Sequence, residues 1–138
     1  MIYHCIRFTL KPGVSEEDKT ARLAQMRDHI NAIPVIKHRV VGPDFGGEYE
    51  YGAVTVLEDL EAYEVYMNHP AHLAMDRSGL PIVDKFVSYD VTDDPDPEVG
   101  AKIADIHRRR YENKPEIADL VSGLNEYTGS AAPGKHGN

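Results

Sequence analysis

The stretch Ile2-Tyr3-His4-Cys5-Ile6-Arg7-Phe8-Thr9-Leu10 decides the fold. Strand side chains alternate between faces, so Ile2, His4, Ile6, Phe8 and Leu10 share one side and Tyr3, Cys5, Arg7 and Thr9 the other. One face is apolar and one is mixed, as in a strand that covers a core on one side only. Lys11-Pro12-Gly13 ends the strand. Ser15, three residues before Asp18, reads as the cap of a helix. Leu23, Met26, Ile30 and Ile33 follow at helical spacing until Pro34 stops the run.

The pattern continues outward from that unit. Ile36 to Val41 reads as a second strand, closed by Gly42-Pro43, and Tyr49 to Leu57 as a third. Asp59 is placed to cap a helix from Leu60 to Asn68. Pro70 fits the first position of a new helical turn, which runs to about Arg77 before Ser78-Gly79. Phe86 to Val91 reads as a fourth strand. The order β-α-β-β-α-β predicts an α+β, ferredoxin-like protomer with four antiparallel strands and helices on one face. The mixed face of the first strand is then left bare, and two copies packed face to face would cover it as a dimeric α/β barrel. The sequence therefore predicts a homodimer.

The domain is expected over residues 1–93, with Asp94-Pro95-Asp96-Pro97 as a linker. Residues 98–127 read as a helical extension. Val99, Ile103 and Ile106 form one apolar stripe, and Ile117, Leu120, Val121 and Leu124 another. Neither stripe is stable alone in water. A stiff linker favours an extension that reaches across to the partner subunit. Residues 128–138 are Gly-, Ala- and polar-rich and read as a disordered tail.

Composition narrows the partners. The chain has 138 residues, with 15 Lys and Arg against 23 Asp and Glu, a net charge of −8. That charge repels phosphate backbones and anionic membranes, so neither nucleic acid nor membrane is an expected partner. Arg108-Arg109-Arg110 reads as a solvated helix face, because Asp105 and Glu112 lie within helical reach. The single cysteine, Cys5, allows no intrachain disulfide and reads as a buried, inert thiol. A chain that opens directly on a strand, without a signal peptide, fits the cytoplasm. Arg7 is expected to pair with an acid across the dimer interface.

Three stretches carry a resemblance. They are Met1-Ile2-Tyr3-His4 with Phe8-Thr9-Leu10-Lys11-Pro12-Gly13-Val14, then Val41-Gly42-Pro43-Asp44, then Tyr66-Met67-Asn68-His69-Pro70-Ala71-His72. Together they resemble the stress-responsive dimeric α/β-barrel (Dabb) family over roughly residues 1–92. The resemblance implies a ferredoxin-like protomer and a barrel formed by two sheets. One better-understood relative is a plant polyketide cyclase, olivetolic acid cyclase, and some plant hydroxynitrile lyases look similar. The cyclase's catalytic tyrosine and the second histidine of its His-Pro-Ala-His motif match Tyr66 and His72. A first-strand pocket histidine matches His4. The chain departs from the cyclase at the pocket wall. It has no tryptophan, Val83 stands near the place of the lining aromatic, and Tyr51 replaces a third-strand histidine.

The residues themselves suit acid–base work. Pro70 at the first helical position makes His69 the cap and puts His72 in the first turn, where unpaired amides disfavour imidazolium. A neutral His72 suits proton abstraction, and the Tyr66 phenol suits hydrogen bonding to a developing enolate. His4 and His69 are expected around the same pocket, and the resemblance implies Tyr51 and Val83 there as well. His69 and His72 have His-x-x-His spacing, but no acidic third ligand stands nearby in sequence, so no metal and no cofactor are assigned. Two classes of function remain. One is a cofactor-independent cyclase or lyase acting on a small hydrophobic carbonyl compound. The other is a stress-responsive barrel that binds such a ligand without turnover.

Overall fold

The structure is a computed structural model that describes residues 1–133. Strand β1 spans Ile2–Leu10 and helix α1 Glu16–Asn31; β2 is His38–Pro43 and β3 Tyr51–Leu57. Helices α2, Leu60–Asn68, and α3, Pro70–Gly79, lead through a short 3₁₀ turn into β4, Val83–Thr92. Helices α4, Val99–Asn113, and α5, Pro115–Ser122, precede a last strand β5, Glu126–Gly129. The sheet order is β2-β3-β1-β4-β5. The first four strands pair antiparallel, as the ferredoxin-like reading requires.

Register fixes the faces. Ile2 stands opposite Leu57 and Thr92, His4 opposite Thr55 and Asp90, and Phe8 opposite Tyr51 and Phe86. These residues share the face that looks at the helices. Ile2, Leu57 and Tyr63 are fully buried there with Ile30, Ile33 and Met67. The other face carries Tyr3, Val40, Tyr89 and Val91, all exposed in the single chain. It is the bare face that the alternation of β1 predicts.

Local chemistry explains the boundaries. The Ser15 hydroxyl accepts the Asp18 amide at 3.1 Å and the Asp59 carboxylate accepts the Ala62 amide at 2.9 Å, so both helices start at capped turns. His69 ends α2 and caps α3, because Pro70 cannot continue α2 but suits a first helical position.

Four expectations are corrected. The tail expected from residue 128 is structured as far as residue 133. Lys85 to Ser88 of β4 pair in parallel with Glu126 to Gly129, adding a fifth, parallel strand. Ala131 and Ala132 beyond it are buried. Residues 134–138 lie outside the described residues. The extension also packs on its own protomer, with Ile103 and Ile106 in the main core. The reason lies in the linker. Asp94 and Asp96 side chains each accept the amide two residues on, at 2.9 Å, and so turn the chain back. Arg7 forks onto Asp44 of its own chain at 2.5 and 2.7 Å, since the end of β2 brings that carboxylate beside β1. Finally, Arg110 is not on a solvated face. Arg108 pairs with Asp105 and Glu112, and Arg109 with Glu64 and Asp105, but Arg110 is buried.

Candidate active site

A cavity of about 100 Å³ lies between the inner face of the sheet and the helices. His4, Ile6, Phe8 and Ser88 line it from the sheet, and Tyr66, His72, Met75 and Asp76 from α2 and α3. The extension closes it with His107, Arg110 and Tyr111 of α4, Ile117 and Val121 of α5, and Tyr127 of β5. Most of this wall is apolar, so the few polar groups act in a medium that strengthens their fields.

His72 and Tyr66 meet across the helix break. Their rings stack at 4.6 Å between centroids, and the His72 Nδ1–H donates to the Tyr66 carbonyl at 3.2 Å. This bond fixes the tautomer and leaves Nε2 as the unprotonated nitrogen. Nε2 stands 3.7 Å from Asp76 Oδ1, one helical turn on. Burial, and then the Arg110 charge, push the His72 pKa well below its usual 6.5. Burial raises the Asp76 carboxyl above its usual range, although Arg110 pulls the other way. Base and carboxyl are thus brought toward each other. Burial also raises the Tyr66 phenol, with hydrogen bonding to Thr55 offsetting it in part, so Tyr66 stays a donor near neutral pH.

A second polar cluster abuts the first. The Asp90 carboxylate accepts from His4 Nδ1–H at 2.8 Å and from the Tyr63 hydroxyl at 3.1 Å. With the Tyr63 proton directed to Asp90, His107 Nε2–H donates to the Tyr63 oxygen at 2.7 Å. Burial opposes the charge on Asp90, but His4 outweighs it and holds the carboxyl below its ordinary value. His4 and Tyr66 rings lie 5.8 Å apart in edge contact, which joins the two clusters.

Four of the residues singled out in the sequence line the cavity together: His4, Tyr66, His72 and Val83. Two do not. The His69 Nδ1 accepts the Ala71 amide at 3.0 Å, so its ring is spent on capping α3. Tyr51 packs on Phe8 with ring centroids 5.7 Å apart, one register step away from the cavity. Sequence reading missed Tyr63, Asp76, Asp90, His107 and Arg110. Asp90 is visible only through register, opposite His4. His107 and Arg110 continue the inward stripe of Ile103 and Ile106 at three- and four-residue spacing, a signal masked by the run of arginines. Among the described residues no group of three or more His, Cys, Asp and Glu could hold a metal ion. Among them, too, no helix is long and apolar enough to cross a membrane.

The same fold recurs in solved structures. A Dabb family protein of Mesorhizobium loti is 28% identical with a TM-score of 0.61, over 66% of this chain and 94% of that one. A dimeric ferredoxin-like protein of Thermobifida fusca is 23% identical with a TM-score of 0.61, over 66% and 89%. A hydroxynitrile lyase of Passiflora edulis is 15% identical with a TM-score of 0.61, over 68% and 94%. No curated protein sequence matches the chain. The family model of the stress responsive A/B barrel domain matches residues 2–93, most of the chain, and this protein belongs to that family.

Proposed function

We propose that the chain is a small cofactor-independent enzyme of the cyclase or lyase type, doing acid–base chemistry on a small hydrophobic carbonyl compound. His72 is the base and Tyr66 the hydrogen-bond donor. One observation carries this reading: the His72 Nδ1–H is committed to the Tyr66 carbonyl, which leaves a neutral Nε2 in an apolar cavity shared with the Tyr66 ring. Nε2 takes a proton from the carbon next to the carbonyl. The C–H electron pair forms the enolate double bond, and the carbonyl electrons move to oxygen, where the Tyr66 hydroxyl donates. Asp76, 3.7 Å from Nε2, faces the imidazolium that results. Proton transfer of this kind needs only side chains. The Passiflora hydroxynitrile lyase shows that a lyase is built on this fold, a likeness at the level of the fold alone.

The working unit in this reading is a cytoplasmic homodimer. Tyr3, Val40, Tyr89 and Val91 form the uncovered face, and the Thermobifida fusca relative is dimeric. A second reading, a barrel that binds a small ligand without turnover, draws on the pairing of His4 with Asp90 at 2.8 Å, as in a satisfied core histidine. Deuterium exchange separates the two. Incubated in heavy water with 2-butanone or 2-oxobutyrate, the enzyme should replace the protons next to the carbonyl, read by proton NMR. His72→Ala should abolish the exchange and Tyr66→Phe should slow it, both while folded. Exchange no faster than buffer leaves only the binding reading.

A further inference from the structure

Arg110 lies beyond the residues that the family model matches, yet its side chain is 7% exposed and lines the cavity. One guanidinium nitrogen, Nη2, donates to Asp76 Oδ2 at 2.7 Å. Its Nε is buried and has no hydrogen-bond partner. A buried guanidinium held by one oxygen is an incomplete arrangement, because its planar fork of donors matches a carboxylate through two parallel bonds. Leaving such a donor unpaired is costly, so a ligand that completes it gains binding energy.

The rest of the charge on the wall points the same way. Lys19 and Arg22 of α1 stand with Arg110 around the cavity, and Asp76 is the single carboxylate among its lining residues. The chain as a whole is strongly acidic, at −8. Lys19 is committed to two carboxylates, with Nζ 2.8 Å from Glu50 and 3.4 Å from Glu16, so Arg110 is the buried cation with a donor left for a ligand.

We infer that the ligand of this cavity is a carboxylic acid anion whose carboxylate is held by Arg110 of the extension. This rests on the cavity assigned above and narrows the proposed substrates to carbonyl compounds that also bear a carboxylate. Arg110 supplies Nε and the remaining guanidinium N–H groups. The apolar wall of Phe8, Leu80, Val83 and Ile117 takes the hydrocarbon part. The extension then sets which ligand enters a cavity whose base and donor belong to the family domain.

The test uses butyrate and its neutral isostere butyramide with the full-length protein, by titration NMR or calorimetry. Butyrate should bind about 10-fold tighter or more, the gain of a charge-assisted hydrogen bond in a buried site. Arg110→Gln should remove that preference and Arg110→Lys should restore part of it. Should Arg110→Gln fail to fold, the wild-type comparison and Arg110→Lys still decide. Equal binding of the two probes overturns the inference, as does no butyrate binding at tens of millimolar or full butyrate preference in folded Arg110→Gln. Exchange of carbonyl-adjacent protons without any anion preference would keep the catalytic reading and end this one. Butyrate selectivity without exchange would do the reverse.

Discussion

His107 Nε2 lies 2.7 Å from the Tyr63 hydroxyl, so a side chain of the extension is hydrogen-bonded into the polar cluster of the family domain. The same oxygen stands 3.2 Å from His4 Nδ1 and 3.1 Å from Asp90 Oδ2. One phenol thus joins β1, β4, α2 and α4 behind the cavity wall. It is fully buried, and burial, reinforced by Asp90, pushes its pKa well above 10. Tyr63 therefore stays a protonated donor, and its part is to position His4 and the helix that carries Arg110.

Tyr63→Phe removes that oxygen and keeps the ring. Asp90 and His107 each lose a partner inside the core, which costs about 1–3 kcal/mol of stability. Urea unfolding should show that loss with an unchanged slope, because the packed area stays the same. A variant as stable as wild type would mean that water replaces the phenol and that the cluster is not a tie.

The pH dependence follows from His72. Its folded pKa lies well below 6.5 while the unfolded chain protonates near that value. Between those two pKa values the unfolded state binds the extra proton, so stability falls as the pH is lowered below about 6.5. The slope for one such group is about 1.4 kcal/mol per pH unit. Asp76, with its raised pKa, acts in the opposite direction in its own range, since the folded state then holds the extra proton. Comparing His72→Gln with wild type isolates the histidine: melting curves from pH 7.5 to 5 should be flatter in the variant. Parallel curves would show that His72 binds its proton alike in the folded and unfolded chain, and that its pKa is not depressed.

The fold was legible in particular residues and the site only in part. Alternation in β1, the caps at Ser15 and Asp59, and Pro70 between two helices report local chemistry, and local chemistry is written in order along the chain. The stacking of Tyr66 on His72 follows from the same helix break. Asp90 reaches His4 across 86 residues and His107 reaches Tyr63 across 44, through register and helix docking that no local pattern records. Arg110 was hidden by its neighbours, whose acidic partners made the whole run look solvated. β5 escaped because a four-residue edge strand among glycines and polar residues carries little apolar signal.

The open sheet face predicts association. Tyr3 and Val91 are cross-strand neighbours on it, with 46% and 59% of their surfaces exposed. Light scattering at micromolar concentration should give twice the 15.4 kDa chain mass. Tyr3→Glu combined with Val91→Glu should bring the value down to one chain mass, since like charges on both copies would face each other in a two-fold interface. A wild-type monomer at that concentration would exclude the barrel dimer.

Gly129 tests the docking of β5. It has a φ of 107°, and a Cβ built there falls 1.7 Å from the Ser88 carbonyl oxygen. Backbone cannot yield by that much, so Gly129→Ala must unpair the end of the strand. The expected loss is about 2 kcal/mol, with faster amide hydrogen exchange confined to residues 126–132. Unchanged protection there would place β5 elsewhere.

Truncation after Thr92 asks whether the family domain stands alone. The cut removes Ile103, Ile106, Ile117 and Val121, each at most 8% exposed, together with the wall that closes the cavity. Burial of each side chain contributes about 1.5–3 kcal/mol. Their combined loss is about 6–12 kcal/mol, comparable to the whole stability of an ordinary domain. Ile2 and Tyr63, now fully covered, would also face water on the side that α4 occupies. The shortened chain should therefore expose apolar surface, bind a hydrophobic dye and lose its cooperative melt. If it instead stays folded, melts within a few degrees of the full chain and keeps the same oligomeric mass, α4 and α5 are an accessory layer on a domain complete without them.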